Sequence, residues 1–363
     1  MKTRKSSFPL ASAVLLIMSC MVSITGCNVS NGDALLIDLE KFSTGEPLTE
    51  EMLDAISEET EHVELVADGD ITVPSDPQGI KLHKDRIFIL DNLGPRSFQM
   101  LAFGLDGKLV GKIGAPGRGP GEYFVITDFA VAPDGSLWIN DAGTDNMLHF
   151  GKDLEHVGTY RTEYDMDRFE FLVNGKILAN VSQWDTELVE IAITDTIFTK
   201  EHRQNILHYR NEPHPLYGFG DGTLFRTAEG YIHNHPVDPD AYVLDSNTGE
   251  ILRHYIIGTG SETLTYDDIA DLGYEDDLGY DRLMKDHTFL SEVFFLSDRY
   301  IIGSIMEKGE LVYFLADLDS RTIHKESSED IDPISGYSDG WLISKSYPEK
   351  TEDHYKLILR KIN

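Results

Sequence analysis

The feature that most restricts this chain is an internal repeat. Residues 76–82, 86–91, 99–103 and 109–114 read as four short apolar strands separated by polar turns. The order returns at 127–131, 137–141, 147–150 and 156–160. Asp91 and Asp141 close the second strand of each set, 50 residues apart. Asp106-Gly107 and Asp134-Gly135 supply hairpin chemistry, because glycine accepts a positive φ. One small sheet cannot bury both its faces alone; repeated sheets at this period share a core by stacking radially.

Later units are more degenerate. The third takes 169–173, 176–180 and 188–193; the fourth takes 223–226, 230–233, 241–245 and 251–256. The fifth uses 292–296, 300–304 and 311–315, and the sixth 334–337, 340–345 and 355–361. The sixth lacks an outer strand, and the alternating stretch 62–66 stands unused before the first unit. The expected fold is therefore all-β: a six-bladed β-propeller of four-stranded blades over 62–363, closed by an N-terminal strand completing the last blade. Closure removes the row of unpaired backbone groups that an open ring leaves at its edge. Residues 261–287, dense in Asp, Glu and Tyr, are expected as an insertion between blades four and five.

Ahead of the repeats lies a targeting segment. Lys2, Arg4 and Lys5 precede an apolar run over 8–24, followed by Ile24-Thr25-Gly26-Cys27. The last four residues resemble the bacterial lipobox, in which the cysteine is lipidated and becomes the mature N-terminus. The expectation is a signal peptide over 1–26 and a lipid anchor on Cys27; the run is too short for a retained membrane helix. Cys20 leaves with the leader, so the mature chain has neither a free thiol nor a disulfide, which excludes thiol catalysis and thiolate metal sites.

Losing three basic residues takes the formal charge from −32 to −35. Such a chain repels nucleic acid and anionic headgroups, so no nucleic-acid partner is expected. Membrane attachment then falls to acyl chains, at about 0.8 kcal/mol per buried CH₂. Only Asp33 follows Cys27 closely as an acidic residue, so the expected address is the cell envelope, on the outer membrane facing the periplasm. Residues 27–61 read as a tether with one short helix, whose stripe of Leu48, Met52, Leu53 and Ile56 packs on the globular part.

The stretch from Gly114 to Phe150 resembles the NHL repeat: a glycine-rich lead, Asp128-Phe129, an Asp-Gly turn, Ile139-Asn140-Asp141, and Asn146-Met147-Leu148. The usual arginine after that asparagine is absent. Gly117-Arg118-Gly119-Pro120-Gly121-Glu122-Tyr123 is similar to a segment of the six-bladed β-propeller lipoproteins of Bacteroidetes. That resemblance implies a fold and a location, but no reaction.

Chemistry is sparser. Gly117, Gly119 and Gly121 match neither a dinucleotide fingerprint nor a P-loop, and a link between blades explains them. Such links lie on the face where propellers take ligands. Arg96, Arg118, Glu122 and Tyr123 are the expected ligand rim. Asp91 and Asp141 are expected to accept hydrogen bonds from the turn that follows each. Trp138, Trp184 and Trp341 are candidates for stacking on sugars, with core packing favoured for Trp138.

No cofactor is expected. The alternative is a divalent metal at the channel mouth, for which His233 and His235 are the candidate ligands. Two functions follow: a non-catalytic binding or scaffold module for a glycan, peptide or protein partner, or a metal-dependent lyase or hydrolase.

Overall fold

The computed structural model describes residues 34–67, 71, 74, 77–94, 97–182, 187–209, 222–227, 230–260, 263–264, 266–269, 277–346 and 355–362. Besides one two-stranded link, their strands form six larger sheets; five are built on four consecutive antiparallel strands, and the sixth on three plus one from the N-terminal segment. Blade one comprises Pro77–His83, Arg86–Gly94, Ser97–Gly104 and Leu109–Ile113. Blade two comprises Ile126–Val131, Leu137–Asp141, Asn146–Phe150 and His156–Arg161. Blade three begins at Met166–Phe171, blade four at Phe225–Arg226, blade five at Thr288–Phe295 and blade six at Ile334–Ser338. The repeat period is thus a real blade period.

Blade six is completed from the other end of the sequence. Glu59–Glu64 pairs antiparallel with Lys356–Lys361, setting Val63 opposite Leu357 and Glu61 opposite Leu359. The expected stretch 62–66 overlaps this strand, but its last two residues leave the sheet. Val66 instead donates to the Gly107 carbonyl and accepts from Leu109 N, tying the seam to blade one. Gly107 sits at φ +77, and a Cβ there would come within 2.0 Å of the Glu64 carbonyl, so the seam needs a glycine.

The segment read as a tether with a helix also holds two strands. Leu35–Asp38 adds in parallel to Ile251–Gly258, the outermost strand of blade four's own chain. Ser43–Thr44 does the same on Thr322–Ser327 of blade five. The helix α1, Glu50–Ala55, follows, capped by the Thr49 hydroxyl accepting from Met52 N at 3.3 Å. Its Leu53 is fully buried, with Leu48 just ahead, among Phe294 and Leu315 of blade five and Ile334 and Leu342 of blade six. Residues 34–64 therefore strap the outside of three consecutive blades.

Between blades, apolar clusters alternate with a few polar ties. Tyr231 Oη donates to the Phe171 carbonyl at 2.5 Å, and Asn234 Nδ2 to the Ser291 carbonyl at 3.1 Å. Ser338 Oγ accepts from Leu82 N and donates to Leu82 O, at 2.9 and 3.1 Å. Within the expected insertion, α2 spans Tyr266–Ile269 and α3 spans Asp277–Asp286; residues 261–262, 265 and 270–276 lie outside the described residues. The signal peptide and Cys27 also lie outside them. No helix among the described residues is long and apolar enough to cross a membrane.

Candidate functional site

The first strand of each blade lines the axis of the ring, and there the chain places charge. Lys81, on blade one, reaches two other blades. Its Nζ lies 3.3 Å from Asp128 Oδ1 on blade two and 2.7 Å from Glu170 Oε1 on blade three. It also stands over the Phe129 ring, 5.2 Å from the centroid. Asp128 Oδ2 accepts from Phe169 N at 2.9 Å, so this carboxylate joins blades two and three on its own.

Burial pushes Lys81 toward its neutral form, but the two carboxylates outweigh it and its pKa rises. For Glu170 the balance is reversed. Burial raises its pKa, and the shared Lys81 does not fully offset that. The two directions are compatible, because one ammonium serves two carboxylates and Asp128 itself repels Glu170.

A second group of charges occupies the same axis. Burial raises the pKa of Glu292 on blade five, while Arg168 and Lys345 draw it down. Arg168 Nη1 donates to the Thr127 carbonyl at 2.9 Å, and Lys345 Nζ to the Pro77 carbonyl at 3.0 Å. Both cations thus hold a neighbouring blade's backbone. Arg226, exposed at the end of blade four's first strand, makes no ion pair among the described residues. None of these was singled out from sequence. The sequence shows only the charges themselves, each two places from another polar residue in a first strand, as in Lys81-Leu82-His83 and Arg168-Phe169-Glu170, and not the partners they meet.

The residues that were singled out are placed differently from one another. Arg96 lies outside the described residues. Arg118 is exposed, with its guanidinium 4.4 Å from the centre of the Phe124 ring. Glu122 Oε2 accepts from Arg118 N and Gly119 N, both at 2.8 Å, and so braces its own loop. Tyr123 is 1% exposed and its Oη accepts from Met100 N, which puts the ring in the core between blades one and two. The loop is the expected blade link: Ala115–Pro116 pairs in parallel with Glu122–Tyr123. Gly114, at φ +60, comes so near the Gly121 carbonyl that a Cβ would lie 2.6 Å from it.

Asp141 is buried and structural, although its partners differ from those expected. Its oxygens accept from Val125 N at 2.7 Å and Phe124 N at 3.0 Å, in the link before the blade. Only the Thr144 hydroxyl, at 2.7 Å, comes from the turn that follows. Asp141→Ala removes the acceptor of two amides and should cost about 2 kcal/mol in urea denaturation. Asp91 is likewise buried and accepts from Gln99 Nε2 at 2.8 Å.

His233 is fully buried. Its Nδ1 lies 2.6 Å from the Thr223 carbonyl and its Nε2 2.7 Å from Glu190 Oε1. A carbonyl only accepts, so the Thr223 contact calls for Nδ1 as the donor, and the Glu190 carboxyl engages the other ring nitrogen. His235 sits edge-on to Tyr209, with ring centroids 6.2 Å apart. The two imidazoles therefore serve separate contacts. Among the described residues no group of three or more His, Cys, Asp or Glu is arranged to hold a metal ion. Trp138 is stacked on His149 at 4.2 Å and crowded by Phe171 and Phe198, so its ring belongs to the core. Trp341 lies under Lys361 Nζ, and Trp184 is outside the described residues.

Six radial sheets, sealed by the chain's own N-terminal strand and pinned at the axis by shared charges, define a closed six-bladed β-propeller. The chain belongs to the DUF5128 family of six-bladed β-propellers, which it matches over residues 49–317. A solved protein assigned as exported, from Bacteroides fragilis, is similar over 90% of this chain and 99% of its own, with TM-score 0.67 and 15% identity. A member of the DUF4221 family from Bacteroides vulgatus is similar over 85% of this chain and 97% of its own, with TM-score 0.53 and 9% identity. At such identities the likeness is one of fold. No curated protein matches the sequence.

Proposed function

We propose that this chain is an exported lipoprotein of the Bacteroidetes cell envelope, with NHL-like blades. It is anchored through Cys27 to the outer membrane, facing the periplasm, and acts as a non-catalytic binding or scaffold module for a glycan, peptide or protein partner. The axis carries this reading. Lys81, Arg168 and Lys345 spend their charges on neighbouring blades, so the hub is rigid and holds the surrounding loops at fixed positions. Arg118 and Arg226 remain exposed for a ligand.

Two measurements test the reading. Cys27→Ser should shift the protein from the membrane to the released fraction with an unchanged denaturation midpoint; retention in the membrane counts against the anchor. The released protein should bind an envelope glycan or peptide stoichiometrically, with an affinity indifferent to EDTA. A stoichiometric divalent metal, whose removal abolishes an elimination or a hydrolysis, would replace this reading with a metal-dependent enzyme.

A further inference from the structure

The strand Leu35–Asp38 carries apolar side chains on both of its sides. Ile37 is buried in the core of blades four and five, as is Leu39 immediately after the strand. Leu35, on the side of Ile37 but at the open end of the strand, and Leu36, on the opposite side, are instead 53% and 67% exposed. They lie beside Tyr255 and Ile256 on the parallel neighbour strand. Leu252, 52% exposed, stands on that same neighbour, three residues before Tyr255 and toward the N-terminal end of the added strand. Three of the ten large exposed apolar residues among those described thus sit on the two outermost strands of one blade. The buried pair is enough to hold the strand to the ring, so the exposed leucines need another explanation.

The position of Cys27 supplies one. It precedes Ala34 by seven residues, and seven fully extended steps span at most about 25 Å. A lipid on Cys27 therefore keeps the rim of blade four within that distance of the bilayer, whatever path the chain takes. Apolar side chains held so near an interface partition into it. Resting on the anchor reading above, we infer that the rim of blade four is a lipid-docking surface: Leu35, Leu36 and Leu252 enter the bilayer interface, and the propeller stands edge-on to the membrane. Both ends of the axis then stay open to the periplasm.

The test uses the lipidated protein. Cys20 lies in the predicted leader and Cys27 would be blocked by lipid, so Leu36→Cys, Leu252→Cys and Val110→Cys each add one free thiol. Val110 is 51% exposed on the outermost strand of blade one, opposite blade four in the ring. Each thiol takes an environment-sensitive fluorophore, and the protein is reconstituted in phosphatidylcholine vesicles containing doxyl-phosphatidylcholine. Labels at Leu36→Cys and Leu252→Cys should shift to the blue and lose most of their emission, while the Val110→Cys label stays unchanged.

Equal emission at all three positions, in protein that floats with the vesicles, overturns the docking surface and leaves the anchor standing. Cross-linking between Leu36→Cys copies without lipid quenching overturns it too, assigning the rim to a second copy. Wild-type protein that neither floats nor carries acyl mass at Cys27 overturns the anchor reading itself.

Discussion

Lys81→Met is expected to destabilise the propeller by about 3–5 kcal/mol at neutral pH, the usual cost of stripping one partner from a buried ion pair. The side chains involved are largely out of water: Lys81 is 17% exposed, Asp128 9% and Glu170 14%. Methionine fills the volume, but two carboxylates then face each other in the interior with no cation between them. The loss should depend on pH. Glu170 already binds its proton more readily when folded than when unfolded, because burial raises its pKa above the ordinary 4.5. Folding therefore takes up a proton, and stability falls as pH rises through that window. Removing Lys81 widens the window, so the deficit of the variant should narrow as pH is lowered from 7 toward 5. Urea midpoints of wild type, Lys81→Met and Lys81→Arg across that range decide the matter. A flat deficit, or one below about 1 kcal/mol, would mean that water reaches the axis and that the network contributes little.

The second large effect concerns the clasp between the N-terminal strap and blade six. Arg360 is 1% exposed, and its Nε donates to Asp54 Oδ1 at 2.8 Å, while Nη2 donates to Glu50 and Nη1 to Ser344 Oγ at 3.3 Å. Both carboxylates belong to α1 and remain partly in water, 33% and 44% exposed. That asymmetry sets the expected outcome. Glu50→Ala with Asp54→Ala leaves the buried guanidinium without the two carboxylates it donates to and should cost about 3 kcal/mol. Arg360→Met leaves two carboxylates that can rehydrate and should cost less than about 1 kcal/mol. Denaturation gives the magnitudes, and hydrogen exchange over residues 48–64 shows whether the strap loosens first. Equal losses in the two variants would refute the asymmetry.

Local chemistry made most of the ring readable. Asp106-Gly107 and Asp134-Gly135 announce their hairpins, and the alternation around Val63 announces a strand in need of a partner. The reading erred where polarity stands for something other than exposure. Blade three's first strand begins at Met166 rather than 169, because Asp167 and Arg168 resemble a loop until the axis explains them. Blade five's first strand begins at Thr288 rather than 292, its alternation broken by a register shift between Leu290 and Glu292. Leu35–Asp38 and Ser43–Thr44 were illegible: each is short and parallel to a strand more than two hundred residues away, and local periodicity does not reach that far. The axial triad was hidden likewise, since Lys81, Asp128 and Glu170 meet only after three blades have closed.

The partnership of Glu59–Glu64 with Lys356–Lys361 also sets an order of events. The earlier strand is synthesised about 290 residues before the one it must pair with. Joining ends so far apart costs on the order of 5 kcal/mol of loop-closure entropy if the intervening chain is still loose, and far less once the other blades have formed. Ring closure is therefore expected late in folding, after the other blades have formed. A chain interrupted anywhere before Lys356 keeps its final blade unfinished, with a raw strand edge at the seam.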